Sequence, residues 1–94
     1  MPRYLVERTF PDGLEVPIDN NGAQAVRGIV DNNSSEDVTW ITSYVTDDHG
    51  KTFCVYDGPN PESIRRAAEK SSVPVDAISE VRVLDPYFYM GATT

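Results

Sequence analysis

The run Val38-Thr39-Trp40-Ile41-Thr42-Ser43-Tyr44-Val45-Thr46, followed after Asp47-Asp48-His49-Gly50 by Thr52-Phe53-Cys54-Val55-Tyr56, decides the fold. Both stretches are dense in β-branched and aromatic residues, which suit a pleated, half-buried surface. The short acidic, glycine-ended stretch between them favours a turn, so together they read as an antiparallel hairpin. Toward the N-terminus, Tyr4 to Phe10 is a third run of strand formers, closed by Pro11-Asp12-Gly13, where proline fixes φ and glycine accepts positive φ. Between this run and the hairpin, Val26, Ile29 and Val30 recur at helical spacing behind the caps Asp19, Asn20 and Asn21. Gly22 and Gly28 dilute that helix, and Asp31-Asn32-Asn33-Ser34-Ser35 should end it by competing for backbone hydrogen bonds.

On the C-terminal side of the hairpin, Asp57-Gly58-Pro59 stops the strand and Asn60 caps a second helix. Pro61 takes its first position and Glu62 its first turn, with Arg65, Arg66 and Lys70 nearer the far end to match the helix dipole. Ile64, Ala67 and Ala68 form the inward stripe. Beyond Pro74, Ser79 to Leu84 alternates Val81 and Val83 with Glu80 and Arg82 as a strand with one buried face, and Asp85-Pro86 ends it ahead of an aromatic tail, Tyr87-Phe88-Tyr89. The order strand, helix, strand, strand, helix, strand is that of a ferredoxin-like β-α-β-β-α-β sandwich, an α+β fold. One antiparallel sheet then carries two helices on one face, and residues 1–94 make a single domain.

Two helices leave the other sheet face to water, a ligand or a second subunit. Alternation within each strand groups Leu5 and Glu7; Trp40, Thr42 and Tyr44; Cys54 and Tyr56; and Arg82 and Leu84. The complementary set, Tyr4, Val6, Arg8, Ile41, Ser43, Val45, Phe53, Val55, Val81 and Val83, is more aliphatic and is assigned to the helix side. The open face is then aromatic and partly polar, which predicts a homodimer, a dimeric α/β barrel, with an enclosed cleft. Glu7, Trp40, Tyr44, Cys54, Tyr56 and Arg82 are the candidate ligand-binding residues.

Composition bounds the partners. The 94 residues carry 15 acidic and 8 basic side chains, a net charge of −7, so nucleic-acid phosphates and anionic lipid are repelled. One domain of this size buries roughly 64% of its unfolded surface, a marginal amount that self-association would supplement. A single cysteine excludes an intramolecular disulfide framework and a zinc ribbon. No membrane span or signal peptide is legible, so a cytoplasmic location is expected. No glycine-rich phosphate loop, HExxH, CxxC or nucleophile elbow is present, and nothing nominates a nucleotide, flavin or haem.

Cys54 reads as a small buried residue, or as a thiolate if a cation such as Arg82 stands near it. Glu7, a carboxylate among aromatics, is either an ion-pair partner of Arg82 or a proton-handling group. His49 with Asp47 and Asp48 is a solvated hairpin tip or part of a surface metal site for nickel or another divalent ion. Two functions from different classes follow: a non-enzymatic binder of a small ligand or divalent metal, and a cofactor-free isomerase or oxygenase-like enzyme. In the enzyme Glu7 is the base, Tyr44 or Tyr56 orients the substrate and Arg82 stabilises an anion.

The blocks Val38 to Val45, Lys51 to Asp57 with Pro59, Pro61-Glu62-Ser63-Ile64-Arg65 and Val81-Arg82-Val83-Leu84-Asp85-Pro86 resemble a small bacterial family of ferredoxin-like proteins that includes a dimeric nickel-binding member. The resemblance implies a dimer and divalent-metal sequestration or handling. Relatives carry histidine where this chain has Thr42 and, approximately, Ala67, so the resemblance leaves metal affinity to His49 with Asp47, Asp48 or Glu7.

Overall fold

Capping chemistry fixes the helices where the sequence places them. A computed structural model describes residues 1–16 and 18–88. Helix α1 spans Asn20–Ser34 behind Asp19, whose side chain accepts the Gly22 N–H at 3.0 Å. Helix α2 spans Pro61–Ser71 behind Asn60, which accepts the Ser63 N–H at 2.9 Å. Each side chain satisfies one of the donors that a helix start leaves orphaned. At the far end of α2, Ser72 turns into the left-handed region at φ 55° and returns its N–H to Ala68 and Glu69.

The strands are β1 (Arg3–Thr9), β2 (Thr39–Val45), β3 (Lys51–Asp57) and β4 (Ala77–Val81). They form one sheet in the order β2-β3-β1-β4, with every neighbouring pair antiparallel. This is a small α+β domain with a four-stranded antiparallel sheet and two helices, in agreement with a ferredoxin-like arrangement. The core sits between the sheet and α2: Tyr4, Val6, Val38, Cys54, Tyr56 and Ile64 are buried together, with Trp40, Val75 and Ile78 packed against them.

Cross-strand pairing corrects the face assignment made from alternation. Antiparallel partners point to the same side of a sheet. Tyr4 pairs with Tyr56, Val6 with Cys54 and Arg8 with Thr52, and all six are buried. Cys54 and Tyr56 therefore belong under the helices, while Phe53 and Val55 lie on the open face with Leu5 and Glu7. In β2 the register shifts between Trp40 and Thr42, and Ile41 is the extra residue of a bulge. A bulge breaks the period of two, so Trp40, opposite Tyr56, shares the helix side with Ser43, and Thr42 and Tyr44 turn to the open face. The last strand begins earlier than its alternation suggests, and Arg82 and Leu84 fall beyond it, both exposed. In the aromatic tail, Tyr87 and Phe88 lie past β4, Tyr87 donating its N–H to Asp85 Oδ1 at 2.9 Å; Tyr89 lies outside the described residues.

Candidate functional site

Helix α1 does not close onto the sheet as α2 does. Between them runs a cleft of about 230 Å³. Val26 and Ile29 of α1 form one wall; Arg8, Trp40, Ser43, Thr52, Cys54 and Tyr56 of the sheet form the other, and Phe10, Leu14 and Val73 close the ends. The lining is almost wholly apolar and contains no acidic residue. Small-molecule sites have this character, an apolar enclosure with a few convergent polar groups.

The polar groups are few and specific. Tyr56 and Trp40 meet with ring centroids 6.5 Å apart and planes inclined by 30°. The Trp40 indole donates to Ser43 Oγ at 2.7 Å, a bond the bulge makes geometrically accessible. The Tyr56 hydroxyl accepts from the Arg8 guanidinium at 3.0 Å, and burial pushes its pKa up while the Arg8 charge opposes the shift. Cys54 donates weakly to Thr52 Oγ1 at 3.6 Å.

Arg8 is the unusual member. It is only 5% exposed, and its other hydrogen bond goes to the Pro74 carbonyl at 2.9 Å. None of the ion pairs among the described residues involves it. A buried cation is costly unless paired. Part of the cost is met by the Tyr56 ring, whose centroid lies 5.7 Å from the guanidinium carbon.

The six residues expected to share a binding face are thus divided. Trp40, Cys54 and Tyr56 line the cleft. Glu7 and Tyr44 lie across the sheet on the open face, Glu7 facing Lys51 Nζ at 3.6 Å rather than Arg82. Arg82, almost fully exposed, reaches toward Glu80 at 3.9 Å beside a shallow hollow of about 520 Å³ at the end of the sheet. That hollow is larger than the cleft, but the charges around it are matched to one another, Arg3 with Asp57 and Arg82 with Glu80. A base at Glu7 and an orienting hydroxyl at Tyr56 stand on opposite faces and cannot act on one substrate. Alternation puts Arg8 on the helix side with Tyr4 and Val6, as the structure has it, but an arginine in a strand reads as solvated, so it was not singled out as a site residue.

The hairpin tip is internally satisfied. Asp48 Oδ1 accepts from Thr46 Oγ1 at 2.7 Å and from the Gly50 N–H at 2.8 Å, and these bonds, the Thr46 one first, hold its carboxyl below the usual aspartate range. His49, at φ 61°, places Nδ1 2.9 Å from the Leu14 carbonyl, which can only accept, so Nδ1 carries the proton and Nε2 is the remaining donor atom for a metal. Among the described residues no group of three or more His, Cys, Asp or Glu side chains is arranged to hold a metal ion. Thr42 is exposed on the open face and Ala67 is buried on α2, so they do not adjoin within one chain.

The model of a family described as nickel responsive protein SCO4226-like matches residues 4–81. Among solved structures, the crystal structure of SCO4226 from Streptomyces coelicolor A3(2) superposes with a TM-score of 0.71 at 19% identity, over 88% of this chain and 99% of that one. At that identity the likeness is one of fold. No curated protein matches the chain. Among the described residues no helix is long and apolar enough to cross a membrane.

Proposed function

Since the chain belongs to the family of SCO4226-like nickel responsive proteins, we propose that it is a non-enzymatic binding protein that holds a small ligand in the cleft between α1 and the sheet and works as a homodimer. The observation that carries this reading is the apolar cleft of about 230 Å³ beside an otherwise closed core. Small compounds of that volume should raise the melting temperature, because a ligand selective for the folded state stabilises it by mass action. Ile29→Trp, which fills the cleft from α1, should fold and abolish the rise. No stabilisation by any compound of that size would overturn the reading.

The dimer is supported by the open face. Leu5, Phe53 and Val55 occupy its centre, half-buried, and Tyr44 stands 66% exposed beside Phe53. A face with this apolar content between flanking ion pairs, Arg3 with Asp57 and Lys51 with Glu7, suits the inner surface of a dimeric α/β barrel. Sedimentation should give a dimer at micromolar concentration and a monomer for Val55→Lys.

A resident nickel ion does not fit the residues of one chain. Nickel favours imidazole nitrogen, and this chain offers a single histidine, with one ring nitrogen bonded to Leu14 and a neighbouring carboxylate already held by Thr46 and Gly50. Ni²⁺ should therefore raise the melting temperature no more than it does in His49→Ala.

A further inference from the structure

We propose that the occupant of the cleft is a small monocarboxylate with an apolar body, its carboxylate paired with Arg8 and its hydrocarbon part lying between the Trp40 and Tyr56 rings and Val26 and Ile29. The proposal rests on the reading of the cleft as a ligand site and names the class of ligand. Three observations carry it. First, Arg8 is a buried cation with no acidic partner among the described residues, and no acidic residue lines the cleft it faces. A guanidinium has five N–H donors in a planar fork that matches a carboxylate. Only one bond to Pro74 and one to Tyr56 draw on them. The Ser43 hydroxyl, which accepts from Trp40, also lines the cleft and keeps its own O–H to donate. An anion entering there converts an uncompensated buried charge into a charge-assisted, bidentate pair.

Second, the volume sets the size. A dry cavity of about 150 Å³ lined by aliphatic and aromatic side chains accepts benzene, so about 230 Å³ admits a ring or chain with one short polar appendage. Third, the net charge of −7 disfavours ligands of high negative charge, whereas a single carboxylate meets little long-range repulsion. Phosphate esters and nucleotides are thereby selected against by the same molecule that welcomes a monoanion.

The single tryptophan lies in the cleft wall, so its emission reports occupancy directly. Octanoate and phenylacetate, representing chain and ring acids, are titrated against octanamide, phenylacetamide and inorganic phosphate, with the wild type and Arg8→Met. The expected result is that at least one acid changes Trp40 emission and binds about tenfold or more tighter than its amide, with phosphate inert, in line with the strength of charge-assisted bonds. In Arg8→Met, whose fold is checked by its melting transition, that preference should vanish while the amides bind as before. Should Arg8→Met not fold, the acid-over-amide ratio in the wild type decides alone. Equal binding of acids and amides would overturn the carboxylate assignment and leave the cleft as an apolar site. Binding of neither would overturn the assignment and the ligand site together.

Discussion

The two helices lie over one sheet and are held to it unequally. Helix α2, 11 residues long, buries Ser63, Ile64, Ala67 and Ala68, whereas α1, with 15 residues, buries only Gly22 and Asn33. The difference begins in composition. The stripe of α2 pairs one large aliphatic with two alanines, all three buried, and Ile64 fills the core to 1% exposure. The inward residues of α1 are β-branched, interrupted by glycine, and end on an asparagine whose Nδ2 is buried without a hydrogen-bond partner among the described residues. One half of the helical layer is a closed core and the other is a partly open clamp. A fold that binds a guest needs both, because rigidity on one side positions the site and slack on the other admits the ligand.

The comparison predicts its largest contrast in the aliphatic residues. Ile64→Ala should cost about 2–5 kcal/mol in urea denaturation, the range for emptying a filled core site. Ile29→Ala only enlarges an existing cleft and should cost less than half as much; equal losses would break the distinction. Next come the caps, which make the same bond on both helices. Asn60→Ala should lower global stability by about 1 kcal/mol. Asp19→Ala should appear chiefly as faster hydrogen exchange of the α1 amides, because a helix that buries only Gly22 and Asn33 is expected to open ahead of the core.

A smaller effect of opposite sign is expected at Gly28, where an added Cβ meets nothing within 4 Å. Gly28→Ala should stabilise the protein by about 0.5–1 kcal/mol, the backbone entropy of a helical glycine, and tighten α1 in hydrogen exchange. The smallest change concerns the contact between the helices. Glu36, just past α1, accepts from Arg66 and Lys70 of α2, each at 2.9 Å, and those hydrogen bonds, Arg66's first, hold its pKa below the usual glutamate range. A depressed carboxyl pKa contributes stability above the unfolded value and loses it as pH falls through the folded one. Glu36→Gln should therefore lower the melting temperature at neutral pH, with the deficit closing in acid below the glutamate range. A deficit unchanged in acid would assign it to packing.

Much of this half-tight, half-open architecture is legible along the chain. Asp19 and Asn60 announce the helices, Pro61 the start of α2, and the hairpin its own two strands, because each depends on neighbours within a few positions. Trp40, Cys54 and Tyr56 stand out in the sequence by their chemistry and line the cleft together, but their side of the sheet was not legible. The rule that the more aliphatic set turns inward fails for β3, since Tyr56 is made tolerable inside by an Arg8 hydroxyl bond spanning 48 residues. Arg8 falls on the inward side by its spacing from Tyr4 and Val6, but that a guanidinium stays buried there depends on Tyr56 and Pro74 being there to receive it.

The residues in order determined which segments are helix and which are strand, how they succeed one another, and that the chain is acidic, with a net charge of −7, since these follow from local conformational preference and from charge that does not depend on folding. Assembly alone decided which rings lie beneath the helices: the β1–β3 pairing puts Tyr56 there with Tyr4, and a one-residue bulge at Ile41, which no period of two can anticipate, adds Trp40. It also decided that a lone guanidinium would stand inside an apolar cleft. Burial and pairing are properties of groups brought together from distant positions, and their energies exist only once the sheet has set its register.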